Sequence, residues 1–179
     1  MLHILPWDYN LAFGTYALGM TDPIQDPNTL INWPVNTRPG ETMRNRPLYH
    51  NLMKNDAYFG QYHAYFHQLL SEYWESGHGE AVLRRTQAMI APYVEADPTA
   101  FCSYADHLLA ADTLLEVCLL RAESIRGQME GRYPITLAQQ AERPGVGVDA
   151  SAIDLRALGY FDDLEVAKER QDATLATME

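Results

Sequence analysis

Cysteine is scarce in this chain: there are two in 179 residues, Cys102 and Cys118, too few for a disulfide framework. Both fall in or beside one predicted helix. At about 1.5 Å of rise per residue their spacing puts them about 24 Å apart, beyond disulfide reach, so both read as reduced core thiols. Basic charge is also short, with 13 Lys and Arg against 24 Asp and Glu and a net charge of -11. Such a balance argues against an electrostatic grip on nucleic acid or anionic lipid. No apolar run approaches the ~20 residues of a membrane span, and no basic segment opens the chain as a secretory signal would. The sequence holds no Gly-x-Ser-x-Gly elbow, no paired-cysteine zinc pattern and no P-loop, which leaves hydrolase, zinc-module and P-loop readings without support.

What is present is enough chain for one main domain, since a domain of about 150 residues buries roughly 70% of its unfolded surface. The acidic excess is concentrated at the end. Residues 145–179 carry eight acids and three bases, so this stretch reads as a solvated tail. Residues 15–46 contain Pro23, Pro27, Pro34, Pro39 and Gly40 and read as a long irregular loop, a kind of segment that is usually functional or disordered.

From Pro47 onward the periodicity is helical. Pro47 suits a first helical position, where its missing N–H has no intrahelical partner, and a short helix is expected to about Asn55. A second runs from about Asp56 to Trp74, with Phe59, Tyr62, Phe66, Leu69 and Tyr73 as an inward stripe at steps of three and four. A third covers about Glu80 to Ala96, with Val82, Met89, Ile90, Tyr93 and Val94 facing inward and Pro92 kinking it. The longest starts at Ser103, which can cap it while Asp106 favours its positive end, and continues to about Glu130. Its wide apolar face includes Leu108, Leu109, Leu115, Cys118, Leu119, Ala122 and Ile125, which predicts burial on two sides. Gly131 and Pro134 end it. Residues 131–160 are expected as an extended wrap and 162–177 as a weak amphipathic helix.

The candidate chemistry lies at the start. Met1 to Leu5 is a short apolar run stopped by Pro6, which fits the end of a strand. Asp8 and Asn10 follow, and an extended chain turns residues i and i+2 to the same side. A carboxylate and an amide oxygen so placed are of the types that hold Mg²⁺ against nucleotide phosphates. The same pair also fits a turn in which both side chains bond nearby backbone groups.

The run Ile4-Leu5-Pro6-Trp7-Asp8-Tyr9-Asn10-Leu11-Ala12-Phe13-Gly14 closely resembles the signature of the CotH family, spore-coat-associated and related bacterial proteins regarded as atypical protein kinases. Further landmarks follow in order: Asn32-Trp33-Pro34-Val35, Arg46-Pro47-Leu48, Asp97-Pro98-Thr99-Ala100-Phe101, Leu120 through Gln128, and Val148 through Leu155. Together they span about residues 1 to 160. The resemblance implies a mainly α fold with a short N-terminal β element, similar to the C-terminal lobe of an atypical protein-kinase-like fold. On that reading residues 1–135 are the C-terminal part of a kinase-like domain, made of a metal-binding strand and turn (1–14), the long loop (15–46) and a helical body (47–130). The wrap and acidic tail occupy 136–179. The resemblance further implies Mg²⁺ and ATP as cofactors, Asp8 as a metal ligand with Asn10 as a weaker second, and a protein substrate, such as a spore-coat or surface protein. The nucleotide cover, the phosphate-contacting Lys and the catalytic acid have no counterpart here, and are expected upstream of Met1. By analogy with kinases, Trp33 with Arg38, Arg44 and Arg46 would line the substrate-receiving loop; alternatively Trp33 pins the loop to the core and the arginines are solvated.

Other candidates have plainer readings. His63 and His67 stand at i and i+4 and could share a metal, but no Glu follows His63, so two surface or capping histidines are expected. His50 and His78 would join them only by tertiary accident, and a metal-dependent hydrolase using Asp8 with His3 or the His63, His67 pair is a distant option. Gly145-Val146-Gly147 reads as a turn, because no helix follows it. Arg84, Arg85, Arg121 and Arg126 are expected to pair with Glu80, Glu116, Glu123 or Glu130 at helical spacings. The alternative to a kinase is a non-catalytic helical interaction module, such as a spore-coat assembly component.

Overall fold

The computed structural model describes residues 26–36, 47–100 and 102–158, and these are arranged around one long helix. Six α-helices order as α1 (Pro27–Ile31), α2 (Pro47–Met53), α3 (Asp56–Leu69), α4 (His78–Ala96), α5 (Tyr104–Met129) and α6 (Leu137–Glu142), with a 3₁₀ turn at Leu155–Leu158. The described residues include no strand, so this part of the chain is mainly α, as expected. The proposed N-terminal strand and the 162–177 helix lie outside the described residues.

Local chemistry explains the boundaries. Asp26 caps α1, accepting from the N–H of Asn28 and Thr29, with Pro27 in the first turn. This short helix interrupts the segment expected to be irregular. Asn55 caps α3 in the same way through Ala57 and Tyr58. Ser103 and Asp106 form a reciprocal capping box at the start of α5. The far end of α5 closes at Gly131, whose φ of 74° is the left-handed conformation that favours glycine. Beyond it, Arg132 and Tyr133 both donate backbone N–H to the Gly127 carbonyl, at 2.8 and 3.0 Å. The Tyr133 ring then lies so close to Gly127 that a Cβ there would meet it at 2.2 Å, which explains the glycine in mid-helix.

Helix α3 does not end at Leu69 but widens into a π-helical turn, Leu70–Trp74, sealed by the Glu75 N–H bonding the Leu70 carbonyl at 2.8 Å. Leu69, expected inside, is 46% exposed, and Leu70 is 0% exposed in its place. Two other expectations are corrected. On α4, Met89 and Tyr93 were expected inside but are 65% and 76% exposed. On α5, Leu108, Leu109 and Leu119 are exposed, and two-sided burial holds only from Thr113 onward. Periodicity marks which residues share a face, but whether a neighbour covers that face is a tertiary matter. Helix α4 continues through Pro92 to Ala96.

Two apolar clusters flank α5. One joins Ile31, Val117, Val148, Ala150 and Ile153, with the 3₁₀ turn packed against it through Leu155 and Leu158. The other joins Val35, Leu70, Ala122 and Ile125, with Phe66, Trp74 and Met129. Residues 148–158 pack along α5, and the stretch expected to be extended includes the unforeseen helix α6 and the 3₁₀ turn. Among the described residues no helix is long and apolar enough to cross a membrane.

Candidate functional site

The two clusters are stitched together by polar side chains drawn from three distant stretches, 26–36, 121–128 and 146–150. Asn32, just after α1, is the centre. Its Nδ2 donates to the carbonyls of Asn28 (3.0 Å) and Val148 (2.8 Å). Its Oδ1 accepts from the Val148 N–H (2.8 Å) and the Ser124 hydroxyl (3.0 Å). The Asn32 carbonyl takes a further bond from Gln140 Nε2 at 2.7 Å. A Cβ on Gly147 would lie 2.4 Å from Asn32 Oδ1, so the second glycine of the Gly-x-Gly serves close approach, while Gly145 takes the turn at φ 74°.

Further along the same face of α5, Gln128 reads both groups of the next peptides, its Oε1 accepting from the Val35 N–H (3.0 Å) and its Nε2 donating to the Trp33 carbonyl (3.3 Å). Tyr62 of α3 donates its hydroxyl to the Val35 carbonyl at 2.7 Å, and Arg121 Nη1 donates to the Ile31 carbonyl at 2.8 Å. Burial, with Tyr49 nearby, pushes the Tyr62 phenol far above its ordinary range. Burial pulls the Arg121 guanidinium down to about 10. Segment 31–36 is thus held by backbone-directed side chains along its length.

Beside it lies a second polar group. His63 Nε2 meets Asn36 Oδ1 at 3.2 Å, and its ring lies 4.2 Å from Phe59. Burial, reinforced by nearby His67, lowers its pKa. His67 Nδ1 instead accepts from Arg126 Nη1 at 2.9 Å, while Arg126 grips both oxygens of Glu75 at 2.7 and 2.8 Å. The two histidines therefore serve different partners and do not converge on an ion. No group of three or more His, Cys, Asp or Glu able to hold a metal exists among the described residues.

The arginines depart from the helical-spacing expectation. Arg84 pairs with Asp112 across α4 and α5, Arg126 with Glu75 just after the π turn, and Arg121 with the Ile31 carbonyl. A cleft of about 460 Å³ lies beside Asn32, lined by Asp26, Asn28, Gln140, Arg143 and Asp149 among others. Its acids are spent locally: Asp26 caps α1, and Asp149 accepts from the Ser151 N–H at 3.0 Å. Cys118 is buried, Cys102 exposed and both are free. Trp33 is partly buried and its carbonyl is held by Gln128. Asp8, Asn10, Arg38, Arg44 and Arg46 lie outside the described residues.

What sequence reading missed is the role of Asn32, Ser124 and Gln128. All three sit inside the landmark stretches, but their partners are 92 to 116 positions away, and nothing in local spacing announces them.

An α-helical body with a polar clasp holding a loop segment defines a structural class only. A family model described as CotH kinase protein matches residues 1–125, most of the chain, and the protein belongs to that family. The matched span includes Asn32, Arg121 and Ser124. No curated protein and no solved structure matched the chain.

Proposed function

We propose that this chain is part of an atypical protein kinase that moves the γ-phosphoryl of ATP to hydroxyls of a protein substrate, such as a spore-coat or surface protein, with Mg²⁺. Family membership over residues 1–125 carries this reading, because the matched span contains the stretch that presents Asp8 and Asn10. The donor chemistry fits the ion: a carboxylate and an amide oxygen are hard ligands of the kind Mg²⁺ takes, alongside waters and phosphate oxygens. When bound, Mg²⁺ supplies neutralisation of charge on the transferring phosphoryl group. Asp8 would hold the ion with its full charge and Asn10 would assist as a neutral donor. The helical body would act by position, keeping segment 31–36 fixed through Arg121, Gln128 and Tyr62. No residue among the 179 is assigned as the catalytic acid or the phosphate-contacting lysine.

A second reading, a non-catalytic helical module, is favoured by one observation: the landmark side chains Asn32, Arg121, Ser124 and Gln128 bond to one another and to backbone. Calorimetric titration of MgATP into the chain separates the two. Saturable micromolar binding that disappears in Asp8→Ala supports the kinase reading, and no heat up to millimolar MgATP removes it in favour of the module.

A further inference from the structure

Helix α4 carries the most exposed large apolar side chain of the described residues, Tyr93 at 76%, with Met89 one turn before it at 65% and Ile90 beside them at 36%. Leu83, Gln87, Ala91 and Val94 recur at steps of four, four and three and are half-buried. They mark the face that α4 turns to its neighbours, α5 and the π turn. Arg84 leaves that side for Asp112 of α5. Helical spacing puts Met89 and Tyr93 on the opposite face, where Val82 and Thr86 extend the row toward the start of the helix. The water-facing side of a surface helix is ordinarily the charged one. Here no residue from Thr86 to Val94 carries a charge, in a chain of which 21% is charged. Charge returns only at the two ends, with Arg85 at one and Glu95 and Asp97 at the other.

We propose that this outer face of α4 is an interface that takes a second copy of the chain, the two α4 helices lying antiparallel across a two-fold axis. The end charges choose the orientation. Antiparallel helices bring the Arg85 end of each copy beside the Glu95 and Asp97 end of the other and set the two helix dipoles in opposition, whereas parallel helices would place like ends together. Such a contact is isologous and closes on itself. With the axis level with Ala91, each Met89 meets Tyr93 of the second copy, a thioether against an aromatic ring. The exposed parts of the row amount to roughly 500 Å² per copy, about 1,000 Å² in all, which is the low end for specific interfaces and gives weak, reversible association. Nucleotide and metal take no part, so this interface stands independently of the kinase reading.

Sedimentation equilibrium of the 179-residue chain from about 1 to 300 µM is expected to show a monomer–dimer equilibrium with a dissociation constant on the order of 10 µM. Tyr93→Glu sets a carboxylate in the seam of each copy and should weaken association by about tenfold or more. The exposure of Tyr93 lets this variant keep the wild-type circular dichroism. Leu48→Glu, at a site on α2 that is 73% exposed, is the control and should leave the equilibrium unchanged. Orientation is read by cross-linking in a Cys102→Ser background under oxidised glutathione: a mixture of Met89→Cys and Tyr93→Cys chains should form the intermolecular disulfide faster than either alone. Should Tyr93→Glu fail to fold, the mixed cross-link decides. A chain that stays monomeric throughout, a dimer that Tyr93→Glu leaves intact or that Leu48→Glu weakens equally, or a single-cysteine chain that links to itself faster than the mixture does, overturns the proposal.

Discussion

Replacing Asn32 by alanine is the sharpest test of how this fold is held. The side chain makes four hydrogen bonds, to the Asn28 carbonyl, both backbone groups of Val148, and the Ser124 hydroxyl. They are not equal. Ser124 retains Gln128 as a partner at 3.2 Å, and the Asn28 carbonyl also accepts the Asn32 backbone N–H. Val148, 8% exposed, loses its partners for both N–H and C=O. An unsatisfied buried polar group costs about 1–3 kcal/mol, so two of them give about 2–6 kcal/mol, with water entering the vacated space pulling toward the lower figure. Against a typical domain stability of about 5–15 kcal/mol this is a large fraction, and at about 2–4 °C per kcal/mol for a chain of this size it lowers Tm by roughly 4–24 °C. Urea unfolding gives the global number. Hydrogen exchange of the Val148 amide gives the local one, with protection falling there before it falls at the α5 core amides near Ile125. A loss below about 1 kcal/mol, or a Val148 amide that exchanges as in the wild type, would refute the assignment of Asn32 as the clasp.

Other expectations follow from the same geometry. Leu70→Ala should cost about 2–5 kcal/mol in chemical unfolding and Leu69→Ala under about 1; the reverse order would mean that Leu69, not Leu70, faces the core. His63 has a folded-state pKa below its ordinary value because burial opposes its charge. The unfolded chain then binds more protons, so the contribution of His63 is fully present above its unfolded pKa and is lost as pH falls from about 7 towards 5. His63→Gln should flatten the stability profile in that window, measured by unfolding midpoints at several pH values, and an unchanged slope would count against it. Cys118 is buried, which pushes its thiol up to about 11, whereas Cys102 is exposed. A thiol-specific reagent at neutral pH should modify one cysteine in the native protein and the second only on unfolding; fast modification of both would contradict the packing of α5.

Several elements were legible in the sequence because their causes are local. Ser103 with Asp106 announced the start of α5, and Gly131 its end, since caps are decided within one helical turn. Pro47 marked a helix start for the same reason. The aromatic stripe of α3 was right for Phe59, Tyr62 and Phe66 and failed at Leu69. The α4 face was read as buried because Met89 and Tyr93 are apolar, yet the described neighbours leave both open. The histidine pair looked like a metal site by spacing alone; Asn36 and Arg126, which claim the two rings separately, come from other parts of the chain.

The sequence by itself determined the start of α2, both ends of α5, the acidic balance and, through its ordered landmarks, membership of a kinase family, because caps, composition and motif order are properties of neighbouring residues. The tertiary structure alone decided what those landmarks are for. Asn32, Arg121, Ser124 and Gln128 are polar residues on or beside buried surfaces, where an unpaired donor or acceptor is costly. Only the meeting of segments 26–36, 121–128 and 146–150 supplies their partners, among them the Ile31 carbonyl that Arg121 reaches and the Val148 backbone that Asn32 reaches.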